Sequence, residues 1–206
     1  MTSPSPTPAP KPRRPFWRNI PWIVLGGIIL GLAFLYVRGT WASGEPINPA
    51  SVEQGPVSQV YLDPEHGRTV RAAILLPHPP KKVWALVTNY GRYDGLFGHL
   101  KGVTADGTAL RGQARSAFGG WWDFAIVMTE AKDGTTWRAT WDQPGGSLRV
   151  NRGGWTVSPA GDGKTLLTLS LEAQVEEYPT FFIRNAFLGR LPQALAAVAA
   201  ELDARK

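Results

Sequence analysis

The chain has 206 residues, room for one ordinary domain plus accessories, with 43% hydrophobic residues, nine tryptophans and no cysteine. Disulfides and thiolate chemistry are thereby excluded. The net charge is +6, but Lys11, Arg13, Arg14, Arg18 and Arg38 all precede the first acid, Glu45, so residues 39–206 hold 17 basic and 16 acidic residues; so balanced a domain argues against a nucleic-acid partner.

The first residues are rich in Pro, Ser and Thr and then basic, which predicts a disordered basic tail over residues 1–19. Residues 20–37 carry no charge. As a helix they span about 27 Å, near the roughly 30 Å of a bilayer's hydrocarbon core. Trp17 and Trp22 at one end and Tyr36 and Trp41 at the other suit the two interfacial belts, and the excess of basic residues before the segment puts the N-terminus inside. The expectation is an uncleaved single-pass transmembrane helix in the cytoplasmic (inner) membrane, with the remaining chain outside the cytoplasm, in the periplasm of a diderm bacterium. The rival reading is a signal peptide with a weak cleavage site at Thr40-Trp41-Ala42. It asks for a shorter apolar stretch than this one, which Arg38 closes. Residues 38–56, mostly Gly, Pro, Asn and Ser near their end, read as a linker to a domain over 57–206.

Residues 73–97 begin with the apolar Ala73 to Leu76, a strand, followed by a turn stiffened by Pro77, Pro79 and Pro80. A short helix with Val83, Trp84 and Val87 on one face comes next; prolines suit its start because the first turn has no use for their missing N–H. A Tyr/Gly/Asp connection then leads to Leu96 and Phe97, which with Leu100 form an apolar lip that could touch a membrane.

Between Lys101 and Val175 the hairpin dipeptides Asp106-Gly107, Asp133-Gly134 and Asp162-Gly163, with Gly119-Gly120 and Pro144-Gly145-Gly146, predict a meander of about six strands after the 57–76 strand region. Alternation assigns faces. Leu167, Leu169, Leu171, Ala173 and Val175 point one way, as do Trp122, Phe124, Ile126 and Met128, and also Trp137, Ala139 and Trp141. On the strand before these, Leu110, Gly112, Ala114, Ser116 and Phe118 point inward, with Arg111, Gln113 and Arg115 outside. The apolar phase shifts between Val150 and Trp155, which predicts a bulge at Gly153-Gly154. Ile183, Phe187, Leu191, Leu195, Val198 and Leu202 form the apolar stripe of a closing helix that Pro192 should kink or break and Gly189 should weaken.

This order resembles the START-like, or Bet v 1-like, superfamily, which includes polyketide cyclase/dehydrase, coenzyme Q-binding and lipid-transfer proteins. The resemblance covers about residues 57–206. It implies an α+β helix-grip fold, a curved antiparallel sheet of about seven strands wrapped on a long C-terminal helix, here preceded by one transmembrane helix. It also implies a ligand held between sheet and helix, a hydrophobic small molecule or lipid such as an isoprenoid or quinone. Gly112, Ala114 and Ser116 would leave the volume; Trp122, Phe124, Met128, Trp137 and Trp141 would form the walls; Phe182, Asn185 and Phe187 would line the helix side, with Asn185 as a polar anchor.

Signals for catalysis are poor, and no cofactor is implied. His66, His78 and His99 lack metal-ligand spacing and read as turn or surface residues. The run from Ser158 to Thr165 imitates a P-loop but lacks its first glycine and sits between strands. Arg152 and Asn185 are weak candidates for a polar group inside the cavity, Arg152 reading better as a rim charge. Binding or transfer of a hydrophobic ligand is therefore the first expectation; a cyclase or dehydrase, or a ligand-free envelope scaffold, are the alternatives.

Overall fold

A computed structural model describes residues 20–116, 119–143 and 148–205, the side chains of 20–23 and 49 excepted. The chain divides into two units between Phe34 and Leu35. Helix α1 (Ile20–Thr40) takes Pro21 in its first turn, where proline is tolerated. Its apolar side chains in the first unit face outward on all sides, with Leu30 72% and Phe34 65% exposed. Among the described residues no helix is long and apolar enough to cross a membrane. The expected anchor over 20–37 lies partly outside the side chains described, and the expected tail over 1–19 lies wholly outside the described residues.

In the second unit β1 (Val57–Asp63) turns back into β2 (Gly67–Leu76). Asp63 Oδ1 accepts the Glu65 and His66 amides at 3.0 and 3.1 Å, the side-chain turn that aspartate favours. Helix α2 (Pro80–Val87) starts on a proline as expected and is followed by a 3-10 turn (Tyr90–Arg92) and the single-turn α3 (Tyr93–Leu96). Next come β3 (Leu100–Asp106), β4 (Ala109–Arg115), β5 (Trp121–Val127), β6 (Thr129–Asp133), β7 (Thr136–Asp142), β8 (Val150–Pro159) and β9 (Thr165–Gln174), then α4 (Thr180–Ala204). The three Asp-Gly dipeptides lie in the turns between β3 and β4, β6 and β7, and β8 and β9, their glycines at φ 58°, 56° and 71°. The Ser158–Thr165 run falls at the last of these turns, not at a phosphate loop. Phe118 and Pro144-Gly145-Gly146 fall outside the described residues.

The strands form two antiparallel sheets, a six-stranded one in the order β1-β2-β9-β8-β7-β6 and a three-stranded one in the order β3-β4-β5, where one sheet of about seven strands was expected. The chain changes sheets at the buried Met128, whose amide bonds to the Thr108 carbonyl at 2.9 Å. Alternation runs unbroken through Trp122, Phe124, Ile126 and Met128, so nothing local marks the crossing.

The predicted bulge is displaced. Pairing of β8 with β9 is continuous from Val150↔Gln174 to Pro159↔Thr165, and the register shift lies in β3 between Lys101 and Thr104. There Gly102 takes φ 61° and the Val103 amide bonds to Asp94 Oδ1 at 3.0 Å. Gly153 serves close approach instead: a Cβ there would strike the Ser170 carbonyl and lie 2.7 Å from the Trp141 ring.

Helix α4 packs on β1, β2 and β9 and buries Ile183, Leu188, Leu191, Ala194, Leu195, Val198 and Leu202. Pro192 was expected to kink or break it, yet α4 is continuous. Proline cannot serve the carbonyl four residues back, that of Leu188, and the Ser58 hydroxyl on β1 donates to that oxygen at 2.7 Å. Ser58→Ala should lower the unfolding free energy by about 1 kcal/mol, read from the denaturant midpoint; an unmoved midpoint would mean that Ser58 does not replace the lost donor.

Residues 38–56, expected as a linker, pack on the domain. The Ser43 amide bonds to the Val60 carbonyl and the Leu62 amide to the Ser43 carbonyl, both at 2.9 Å, and Val52 in the 3-10 turn Pro49–Val52 is buried. The last turns of α1 are also held. Asn185 Nδ2 donates to the Leu35 carbonyl at 2.7 Å, Arg184 Nη1 to Gly39 at 3.1 Å and Arg68 Nε to Thr40 at 3.0 Å. The Gly39 and Thr40 carbonyls are among those a helix C-terminus leaves without partners, and the two guanidinium charges suit its negative end, while the Leu35 carbonyl a turn earlier takes Asn185 as an added partner.

Candidate functional site

Between the two sheets and α4 lies a cavity of about 150 Å³. Trp122, Phe124 and Ile126 on β5 and Met128 form one wall, Leu169, Leu171 and Ala173 on β9 another, and Phe187, Leu191 and Ala194 on α4 cover it. The α3 end contributes Tyr93 and Phe97, and β8 contributes Asn151 and Trp155.

The indoles of Trp155 and Trp141 and the phenol of Tyr93 in these walls are bonded within the protein. Trp155 stacks on Phe97, with ring centroids 6.0 Å apart and planes 17° from parallel. Its Nε1 donates to Tyr93 Oη at 2.9 Å, and that hydroxyl donates to the Val87 carbonyl at 2.5 Å. Burial pushes the Tyr93 phenol well above its ordinary range, so it stays neutral. Trp141 Nε1 donates to Asn151 Oδ1 at 2.9 Å. Trp155, Tyr93 and Trp141 therefore offer rings and not free donors to the cavity.

One end is different. His99, Arg115 and Arg190 line the cavity and also an adjoining pocket of about 370 Å³ that takes in Gln193 and Ala197. The Arg115 amide bonds to the His99 carbonyl at 2.8 Å, which draws the end of β4 to the loop after α3. The Arg190 guanidinium reaches across from α4, donating to the carbonyls of Arg115 and of Ser116, the latter at 2.7 Å. Burial, and secondarily the charge of Arg190, lower the His99 pKa to about 4, so the imidazole is neutral at pH 7. Burial and the nearby Arg115 lower that of Arg190.

The family described as polyketide cyclase/dehydrase and lipid transport matches residues 68–203. The chain belongs to this family. Its solved structural neighbours include a START superfamily protein from Mycobacterium smegmatis, 17% identical with a TM-score of 0.54, over 67% of this chain and 99% of that one. A STAR-related lipid transfer protein from Xanthomonas axonopodis is 15% identical with a TM-score of 0.59, over 73% and 94%. Human StAR-related lipid transfer protein 5 is 16% identical with a TM-score of 0.56, over 89% and 95%. At these identities the likeness establishes the START, helix-grip fold. No curated protein matches the sequence.

In this member of the polyketide cyclase/dehydrase family, Ala114, Trp122, Phe124, Met128, Trp141 and Phe187 stand around the cavity. Five other residues expected there do not. Gly112 sits opposite the β3 bulge, where a Cβ would come within 3.1 Å of Val103. Ser116 is buried at the end of β4 with its carbonyl bound to Arg190. Trp137, on the same sheet face as Trp141, lies further along it and packs edge-on against Trp84 at 5.7 Å. Phe182 packs on Phe181 at 4.3 Å, and Asn185 turns to the α1 carbonyl of Leu35. Arg152 pairs with the buried Glu172 at 3.3 Å, outside the cavity lining. The expected apolar lip is also revised, because Phe97 is buried as a cavity wall.

The residues that sequence reasoning missed are chiefly those of the mouth. Alternation puts Arg115 outside its strand, but it occupies the strand's last position, where the edge of the cavity opens. His99 carries no local signal beyond being a loop histidine, and Arg190 lies beside the stripe of α4.

Proposed function

We propose that this protein binds a hydrophobic small molecule or lipid in the cavity between its sheets and α4, and holds or transfers it at the cytoplasmic membrane. The observation that carries this reading is the cavity itself, walled by aromatic and aliphatic side chains whose indole and phenol groups on Trp141, Trp155 and Tyr93 are bonded within the wall. Such a site takes an apolar ligand and offers little to a small polar one. The naming of two structural neighbours as lipid transfer proteins supports the same class, to which lipid, isoprenoid and quinone all belong. Anchoring is supported by the uncharged run over 20–37, the basic residues before it and the outward apolar side chains of α1. In this reading the domain lies outside the cytoplasm, and tethering raises the local concentration of binder where such ligands reside.

The test is native mass spectrometry of the full chain released from nanodiscs, with organic extraction of what it carries. The expected result is a lipid or quinone near one per chain, lost in Ala114→Phe, which fills the cavity, while the variant melts within a few degrees of wild type. A chain that carries nothing and takes up nothing from added membrane lipids would overturn the reading in favour of an envelope scaffold.

A further inference from the structure

We infer that the ligand is an amphiphile with an anionic head, a carboxylate or a phosphate, held by Arg115 and Arg190 at the cavity mouth while its apolar chain lies among the cavity walls. This rests on the binding function proposed above. Arg115 and Arg190 each line both the apolar cavity and the pocket that opens from it, so a head seated at that junction continues into a tail among the cavity walls. Among the described residues neither has a carboxylate within ion-pair distance; Arg38, Arg68, Arg111, Arg149 and Arg184 also lack one, but of these seven only Arg115 and Arg190 line the cavity.

Arg190 is also held in place. Two of its five N–H groups are spent on the Arg115 and Ser116 carbonyls, which fixes the plane of the guanidinium and leaves the others to a ligand. Arg190 is half-buried and Arg115 exposed beside it, and their like charges repel; the proton affinity of Arg190 is lowered by burial and then by Arg115. An anion between them relieves that repulsion and gains charge-assisted hydrogen bonds, a neutral head gains neither, and a cationic head is repelled. His99, neutral beside them, can bond to the same head without adding charge.

The test uses the full chain in phosphatidylcholine nanodiscs. Trp122, Trp141 and Trp155 line the cavity, so a bound brominated chain quenches tryptophan fluorescence, and the part of the quenching lost in Ala114→Phe reports the site. 8-Bromooctanoate should bind about 10- to 100-fold tighter than 8-bromooctan-1-ol. Arg115→Gln, which removes a side chain that holds no other element, should erase most of that preference, read as the ratio of the two affinities within the variant. Octyl phosphate should compete, and acetate and inorganic phosphate should not. Equal affinity for acid and alcohol, or a preference that survives Arg115→Gln, would overturn the inference and leave hydrophobic binding standing. Competition by inorganic phosphate as strong as by octyl phosphate would reassign the mouth to a free anion. Absence of site-specific quenching by either probe would overturn the binding function as well.

Discussion

Replacing Trp155 with alanine lowers the unfolding free energy by about 3–5 kcal/mol, the range for deleting a large aromatic from a packed interior. Its indole is 3% exposed, stacks on Phe97 and donates to Tyr93, so three elements lose a shared contact at once: β8, the α3 end and, through the Val87 carbonyl, the end of α2. Trp155→Phe retains most of the apolar area and removes one hydrogen bond, and should cost about 1 kcal/mol beyond the lost area. Denaturant unfolding of the full chain, followed by circular dichroism, measures both. A loss under about 1 kcal/mol for the alanine variant would mean that the neighbouring cavity already leaves this ring loosely packed, contrary to its stacking and burial.

Acid should destabilise the domain through His99. Burial and Arg190 lower its folded pKa to about 4 from an ordinary 6.5. Between those values the unfolded chain takes up a proton that the folded one refuses, so stability rises with pH across this window and is lost as pH falls from about 6.5 to 4. The whole gap amounts to about 3 kcal/mol. His99→Gln, which cannot titrate, should flatten the unfolding midpoint over pH 4 to 6.5 relative to wild type, while carboxylates elsewhere contribute equally to both. Parallel pH profiles would show that the imidazole is hydrated at the mouth and not held neutral by burial.

Local periodicity carried the elements a long way. The alternation of Leu167, Leu169, Leu171 and Ala173 marks β9, the Asp-Gly pairs fall at three hairpin turns, and the stripe from Ile183 to Leu202 runs along α4. Each signal is written within a few neighbouring residues, where pleat, turn and helix geometry act. The division into two sheets, the bulge at Gly102 and the continuity of α4 past Pro192 were not legible. Each depends on a partner from another element: Thr108 for Met128, Asp94 for Val103, and Ser58 for Leu188.

The site divides along the same line. The apolar walls on β5, β7 and α4 follow from alternation and helical spacing, because a buried face is a repeating requirement of the element that bears it. Gly112, Trp137, Phe182 and Asn185 satisfy the same patterns and stand elsewhere, since a pattern names a face and not a position along it. Residue patterns, with the family resemblance they carry, pointed to the fold and to an apolar cavity, and the uncharged run before the domain is read directly from the chain. Only the tertiary structure brought His99, Arg115 and Arg190 to one mouth and seated Asn185 and Arg184 on the end of α1. Those groups come from elements far apart in the chain, and a charge at a strand end or helix flank carries no periodic mark of where it will converge.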